Sequence, residues 1–169
     1  MVIGIPLSTG SSVLLIPNYL MMMKLHLTNH WYTLPLLYTA YNLPLVIWML
    51  ISGVRGLPYE IEEAARIDGC SQFYIITRII PPVIRPSFAA AALFAFIGAW
   101  NEFITATVMV NGYALKNIQM AIYDYIGFFG QEWGPLCGAA TLAIIPILLV
   151  FTFLGKQLVS GLTAGAVKG

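Results

Sequence analysis

Long apolar stretches alternate with short polar segments along this chain, and the alternation predicts membrane-spanning helices. Four stretches approach the roughly 20 residues that a helix needs to cross a bilayer. They cover residues 3–23, 34–52, 86–110 and 136–158. The second contains Pro35 and Pro44, which membrane helices tolerate because neighbouring groups satisfy the freed backbone. The pattern therefore predicts an all-α, polytopic transmembrane helical bundle.

The segment between the second and third stretches, loop 58–82, is the most polar part of the chain. Glu60, Glu62 and Glu63 fall within four positions of it, and a bilayer interior does not easily hold such a cluster. Pro58 can start a helix here, because a first-turn residue needs no backbone donor. The three carboxylates then favour the positive N-terminal end of that helix. Loop 58–82 is therefore expected to lie in water.

Loop 58–82 also contains signals for a turn and a second helix. Gly69 can adopt the left-handed conformation that ends a helix. Ser71 can cap a second helix running toward Ile80, which Pro81 and Pro82 are expected to end. From the residues alone, this helix pair could dock a partner through charged groups and a low-profile Ala64–Ala65 face. It could equally lie as an amphipathic helix on the bilayer surface.

Composition supports a membrane protein and excludes several other classes. Of the 169 residues, 59% are hydrophobic and 9% are charged, whereas soluble domains carry about 25% charged residues. The net charge of +1 gives no indication of nucleic-acid binding. Cys70 and Cys137 are far apart in unlike contexts, which predicts neither a disulfide framework nor a metal site. His26 and His30 have ligand-like spacing, but no third ligand lies near them.

Basic residues predict the orientation of the spans. Four arginines lie between the second and third stretches, Lys156 lies at the end of the fourth, and Lys168 follows it. The other two connections carry one lysine each, Lys24 and Lys116. Loop 58–82 and the C-terminus are therefore expected to face the cytoplasm, and loop 111–135 the exterior. Apolar residues at helical spacing in loop 111–135 favour a short helix over residues 118–129, and packing of these residues on the spans explains them equally well.

Loop 58–82 resembles the EAA loop of permease subunits in ABC importers. That pattern is Glu-Ala-Ala, three residues, Gly, nine residues, Ile, one residue and Leu-Pro. Here it falls on the following residues: Glu63, Ala64, Ala65, Gly69, Ile79 and Pro82. Pro81 stands where the family usually has Leu. Three further segments are similar to the carbohydrate-importer, MalG-like branch: residues 42–48, 99–103 and 161–169.

The resemblance implies a MetI-like permease fold of about six spans, of which this chain holds the last four. Residues 1–169 would then be an N-terminally truncated transmembrane domain in a bacterial or archaeal cell membrane. The implied partners are two ATPase subunits, a second permease, an extracytoplasmic solute-binding protein and a sugar. The resemblance places ATPase coupling on the following residues: Glu63, Ala64, Ala65, Arg66, Asp68, Gly69 and Pro82. The C-terminal tail, residues 161–169, is expected to approach the ATPase dimer.

The resemblance implies a subunit that is not an enzyme and needs no cofactor of its own. The residues agree, because the sequence has no phosphate-binding loop of the form G-x-x-x-x-G-K-[ST]. It also shows no nucleophile–base pair. ATP hydrolysis is therefore expected on separate subunits.

Glu102 is the ionisable residue that falls well inside a predicted span, and such a residue is a candidate functional site. With Asn101 it could line the translocation path or an outer gate. Alternatively, the pair could hold helices together through hydrogen bonds.

Three functions remain open. The chain is expected to be the permease subunit of a binding-protein-dependent sugar importer. It could instead carry another solute, such as a polyamine, an amino acid or glycerol phosphate. It could also be a scaffold that binds the ATPase without forming a conduit.

Overall fold

The computed structural model describes residues 14–127 and 130–166, and helices account for most of them. The α-helices are α1 (Leu15–Lys24), α2 (Thr33–Arg55), α3 (Tyr59–Ile67), α4 (Gln72–Tyr74), α5 (Ile80–Val83), α6 (Arg85–Trp100), α7 (Ile104–Met109), α8 (Ile118–Tyr123) and α9 (Trp133–Ala166). A π-helix (Ile75–Ile79) and a 3₁₀ turn (Tyr113–Leu115) interrupt them. Two short antiparallel strands, β1 (Ile126–Gly127) and β2 (Gly130–Gln131), form a hairpin. The predicted all-α class is confirmed apart from this hairpin.

Two described helices are long and apolar enough to cross a membrane: α2 and the Trp133–Gly155 part of α9. They correspond to the predicted second and fourth spans. A third candidate span is possible. It would be a broken one, made of two helical segments that meet at a bend of 75°: Gln72–Val83 and Arg85–Trp100. Of the predicted first span, α1 covers the part from Leu15, and residues 3–13 lie outside the described residues.

The predicted third span, residues 86–110, is wrong as a continuous helix. Helix α6 ends at Trp100, and α7 begins only at Ile104. Side chains compete with the helical backbone at the break. Asn101 Nδ2 donates to the Ile97 carbonyl at 3.0 Å, and Glu102 Oε1 accepts from the Thr105 backbone N–H at 2.8 Å. Glu102 thereby caps a new helix instead of continuing the old one.

The chain divides into two compact units, and the first comprises Met1–Pro44 and Phe96–Leu148. Its described core is a cluster of buried apolar residues: Met22, Leu34, Leu37, Ala106, Met109, Val110 and Met120. The loop after α1 is fixed to α7, because Asn29 N–H donates to the Met109 carbonyl at 3.0 Å. Asn29 Oδ1 in turn accepts from the Asn111 N–H at 2.8 Å.

The second unit comprises Leu45–Ala95 and Leu149–Gly169 and contains loop 58–82. Ile75 of the π-helix is fully buried in it, and Ala89, Ala91 and Leu93 of α6 are buried too. Helices α2 and α6 approach closely at Gly53, where an added Cβ would overlap Ser87 Oγ and Cβ. Small residues at such contacts allow membrane helices to pack backbone to backbone.

Candidate functional site

Helix α3 begins directly after Pro58, whose extended backbone (φ −60°, ψ 133°) sets the entry to the helix. Glu60 and Glu62 occupy its first turn and Arg66 its last. Each charge therefore lies at the helix end that its sign favours. The observed helix start agrees with the predicted one, except that Pro58 is the N-cap residue and Tyr59 is the first helical residue.

The turn after α3 is a Schellman motif centred on Gly69. Gly69 has a φ of +79°, and its N–H donates to the Arg66 carbonyl at 3.0 Å. The Cys70 N–H donates to the Ala65 carbonyl, also at 3.0 Å. These two bonds satisfy carbonyls that the end of a helix otherwise leaves free. The structure thus confirms the left-handed turn predicted at Gly69.

Ser71 caps the second helix as predicted, because its Oγ accepts from the Tyr74 N–H at 3.3 Å. The expectation that Pro81 and Pro82 end this helix is wrong. Both prolines lie inside α5, directly after the five-residue π-helix Ile75–Ile79. A π-helix widens the backbone and changes the hydrogen-bond register. This gives a physical reason why rings that would clash with an α-helical turn are accommodated here.

A polar triad joins the two helices across the Gly69 turn. Arg66 Nη2 donates to Glu62 Oε1 at 2.6 Å and to Gln72 Oε1 at 3.1 Å. Gln72 Nε2 also donates to Glu62 Oε1, at 3.4 Å. The Arg66–Glu62 pair is partly exposed and contributes about 0.3–0.5 kcal/mol as a helix pair. The two bonds to Gln72 are the ones that link α3 to α4 across the turn.

Glu63 and Ala64 remain free on the exposed side of α3. In the part of the chain that the structure describes, Glu63 makes no ion pair and no hydrogen bond through its side chain. Ala65 is 6% exposed, so of the predicted Ala64–Ala65 face only Ala64 is exposed, and Ala65 takes the inward, anchoring position that its i,i+4 spacing from Ile61 also predicts. The low-profile surface consists of Ala64, next to an unpaired carboxylate.

Large apolar side chains flank the turn and lie in solvent. Ile67 is 86% exposed and Phe73 is 78% exposed. Each stands on one side of the Gly69 turn, and Tyr59, Tyr74 and Ile76 add further exposed apolar surface. Exposed apolar residues grouped beside a free charge are typical of a protein-docking surface. Sequence reasoning did not single out Ile67 or Phe73, because their exposure follows from the turn geometry.

A second polar group, the Glu102 cluster (Tyr38, Glu102 and Asn117), lies in the first unit. Glu102 Oε2 accepts from the Ala106 N–H at 3.1 Å and from Tyr38 Oη at 3.3 Å. Asn117 Nδ2 donates to the Glu102 carbonyl at 2.6 Å and to Tyr38 Oη at 3.3 Å. The cluster therefore connects α2, the α6–α7 break and the segment before α8.

Asn117 also begins α8, since its Oδ1 accepts from the Met120 N–H at 2.9 Å. Sequence reasoning missed Asn117 and Tyr38. An Asn directly before an apolar-periodic segment is an N-cap signal that could have identified Asn117. Nothing local marks Tyr38. Asn101 does not join the cluster: its side chain is exposed and bonds within α6.

Loop 111–135 is more varied than the predicted helix over residues 118–129. Helix α8 stops at Tyr123, a turn follows, and β1 and β2 form the hairpin. Phe129 lies outside the described residues. Lys116 Nζ contacts Asp124 Oδ1 at 2.7 Å, which ties the start of the loop to the end of α8. Tyr125 and Ile126 favour extended backbone, which is one reason why the helix does not continue to residue 129 as predicted.

The histidine pair is not arranged as a metal site. His26 has a φ of +55° and lies in the loop after α1, so the two histidines do not share a helical face and are loop residues, as the sequence favoured. His30 stacks on Tyr32 with ring centroids 5.0 Å apart. Across the described ranges, no group of three or more His, Cys, Asp or Glu residues is placed to hold a metal ion.

Comparison with known proteins identifies the class. Residues 2–163 match the family model described as "Binding-protein-dependent transport system inner membrane component". The chain therefore belongs to this family of multi-pass membrane permeases.

Individual relatives cover most of this chain. It is 37% identical over 156 residues to a "Putative ABC transporter permease protein ORF1" of Streptomyces antibioticus, covering 92% of the chain and 68% of the relative. It is 35% identical over 156 residues to the sulfoquinovosyl glycerol transport system permease protein SmoH of Agrobacterium fabrum, covering 92% and 55%. The trehalose/maltose transport system permease protein MalG of Thermococcus litoralis is 37% identical over 147 residues, covering 86% and 53%. The chain thus spans little more than half the length of the latter two relatives.

Proposed function

We propose that this chain is the permease subunit of an ATP-driven, binding-protein-dependent sugar importer. Its family and the carbohydrate transport systems in which its relatives are named support this function. The structural observation that carries it is the helix–turn–helix of loop 58–82. That loop combines Glu63, which has no ion pair with the described part of the chain, a small exposed Ala64 and two highly exposed apolar side chains, Ile67 and Phe73.

The proposed site for energy coupling is loop 58–82. An ATPase subunit would receive α3 and the Gly69 turn in a cleft, with Ala64 allowing close approach. Glu63 would pair with a basic residue of the ATPase, since it has no partner among the described residues of its own chain. The triad formed by Glu62, Arg66 and Gln72 would keep α3 and α4 rigid. Closure of two ATPase subunits on ATP would then be transmitted to the spans.

Asp68, Gly69 and Pro82 have positional roles in this proposal. Asp68 ends α3, Gly69 forms the turn, and Pro82 lies in α5 where the loop returns toward α6. None of the three needs to contact the ATPase. They set the orientation of the loop relative to α6, and so the direction in which a movement of the ATPase would displace that helix.

At the other polar loop, 111–135, we propose the contact with an extracytoplasmic solute-binding protein. The bonding of Glu102 favours a positioning role over a sugar contact, because both of its carboxylate oxygens already accept backbone N–H groups. Of Asn101 and Glu102, Asn101 is the residue proposed to contact solute transiently, because its side chain is exposed.

The remaining assignments follow from the same proposal. Loop 58–82 and the C-terminus would face the cytoplasm, and a second related permease would complete the conduit. The chain would break no bond, and ATP hydrolysis would occur on the ATPase subunits. The side chains of the tail residues 161–169, expected near the ATPase dimer, lie outside the described residues.

The test is co-expression with the ATPase, second permease and solute-binding protein encoded nearby, followed by uptake of radiolabelled sugar. Glu63→Lys is expected to abolish ATP-dependent uptake while the chain still inserts in the membrane, because it reverses the charge that would meet the ATPase. Glu60→Lys is the matched control: it reverses an exposed charge one turn away and should retain most uptake.

Normal uptake by Glu63→Lys would contradict the coupling proposal. If the unaltered chain binds the ATPase yet supports no uptake of any solute, the scaffold function replaces the permease. Uptake of a polyamine or an amino acid in place of sugar would reassign the cargo and keep the coupling role.

A further inference from the structure

A groove of about 710 Å³ lies beside the bend between α5 and α6, within the second compact unit. Its lining includes two arginines, Arg78 and Arg85, and apolar side chains that include Phe88, Ala92 and Leu154. Its volume is in the range of about 300–1,000 Å³ that ligand pockets occupy. The combination of cationic and apolar lining suits a ligand with both an anionic and an apolar part.

Neither arginine is neutralised by its own chain, as far as the structure describes it. The described ion pairs are Arg66–Glu62 and Lys116–Asp124. The sequence contains no acidic residue between Asp68 and Glu102, so no carboxylate is near in sequence either. Thr77, which also lines the groove, donates its hydroxyl to the Phe73 carbonyl at 2.7 Å. The two exposed guanidinium groups are therefore the free donors.

The groove lies where a membrane surface is expected. Arg85 is the first residue of the apolar helix α6, directly after a bend of 75° at the end of loop 58–82. Arginines at the end of an apolar helix place their charges at the headgroup level. The apolar part of the lining then continues along α6 toward the hydrocarbon.

We propose that this groove binds an anionic phospholipid of the surrounding bilayer. The phosphate lies between Arg78 and Arg85, which offer paired N–H donors suited to it. An acyl chain follows Phe88, Ala92 and Leu154. Basic pockets at the cytoplasmic ends of membrane helices recognise anionic headgroups in this way. The site requires only that the chain is embedded in a bilayer, so it does not depend on which solute is transported.

The experiment uses the full chain in nanodiscs of phosphatidylcholine with a minor fraction of photoactivatable phosphatidylglycerol. Crosslinked peptides are mapped by mass spectrometry. Labelling is expected on the groove, and each of Arg78→Gln and Arg85→Gln should weaken it about fivefold, the effect of one cation at a membrane surface. Arg55→Gln, which removes the same charge outside this groove, should leave it unchanged.

A second variant separates a built groove from general surface charge. Ala92→Trp fills the lining while it keeps both arginines, and it is expected to reduce labelling as strongly as the arginine variants. Arg78→Lys and Arg85→Lys keep the charge and should retain most labelling, which excludes misfolding as the cause of loss in the glutamine variants.

Several results would overturn the proposal. Unchanged labelling in Ala92→Trp would show surface attraction without a site. Equal labelling by a photoactivatable phosphatidylcholine would remove the requirement for an anionic headgroup. Displacement of the lipid by added inorganic phosphate would reassign the site to free phosphate. Loss of labelling when the ATPase and second permease are reconstituted with the chain would show that a protein covers the groove.

Discussion

Glu63 differs from its neighbour Glu62 because no described group of the chain neutralises it. Its neighbour Glu62 bonds Arg66, and Arg66 in turn bonds Gln72. The sequence places Glu62 and Glu63 side by side, and only the helical geometry separates their roles. Position i,i+4 joins Glu62 to Arg66 on one face, whereas Glu63 lies on another face and stays available to a partner.

Gly69→Pro is expected to abolish transport, since proline fixes φ near −65° and removes the N–H that bonds the Arg66 carbonyl. Gly69→Asn should retain most transport, because Asn tolerates the left-handed conformation and nothing lies within 4 Å of an added Cβ. Uptake measured for both variants, normalised to the amount of inserted chain, checks the expectation. Equal uptake by the two variants would show that the turn conformation is unimportant.

Glu102→Gln is expected to be milder than Glu63→Lys in the same uptake measurement. Glutamine keeps one oxygen acceptor for α7 and loses the second, which costs about 0.5–2 kcal/mol, the range for a helix cap. The loss should appear as a lower unfolding temperature with uptake largely retained. The reverse ranking, with Glu102→Gln inactive and Glu63→Lys active, would move the working carboxylate to the Glu102 cluster.

At the scale of elements, long apolar runs and local turn signals correctly predicted the helices and turns that depend on nearby residues. Helices α2 and α9, the Gly69 turn and the Ser71 cap follow from residues close in sequence. The helix break after Trp100 could not be predicted in this way. A mean hydropathy is high across residues 86–110 and carries no information on the bonds that Glu102 accepts from the first turn of a new helix. The π-helix Ile75–Ile79 was also missed, because the sequence signals considered for Pro81 and Pro82 predict where a helix ends and do not predict a change of hydrogen-bond register before it.

The α2–α6 contact supplies a prediction at this scale. Gly53→Val is expected to destabilise the protein by about 1–3 kcal/mol, the cost of overpacking a close contact. The added side chain would overlap Ser87. Gly56→Ala, where an added Cβ makes ordinary contact at 3.5 Å, is the control. Thermal unfolding in detergent measures both.

Ser87→Gly should restore part of the stability lost in Gly53→Val, because it removes the overlapping hydroxymethyl group. A double variant no more stable than Gly53→Val alone would show that the damage arises elsewhere in the second unit.

For the whole molecule, composition predicted a polytopic membrane protein, and the resemblance of loop 58–82 predicted the permease family, which the family match confirms. The contacts between residues far apart in sequence could not be predicted from one sequence. Tyr38 and Glu102 are 64 positions apart, yet their side chains bond. The Gly69 turn and the Ser71 cap of loop 58–82 were predictable because they are local, whereas the Glu102 cluster depends on how distant helices pack.

The most direct measurement of the central claim is site-specific crosslinking from Ala64→Cys, in a background of Cys70→Ser and Cys137→Ser, within membranes that contain the assembled transporter. Tyr113→Cys, exposed on loop 111–135, is the matched control. Docking of loop 58–82 on the ATPase predicts an ATPase adduct from Ala64→Cys and none from Tyr113→Cys. An adduct from Tyr113→Cys alone, or labelling of Ala64→Cys by an impermeant reagent added outside intact cells, would contradict the account.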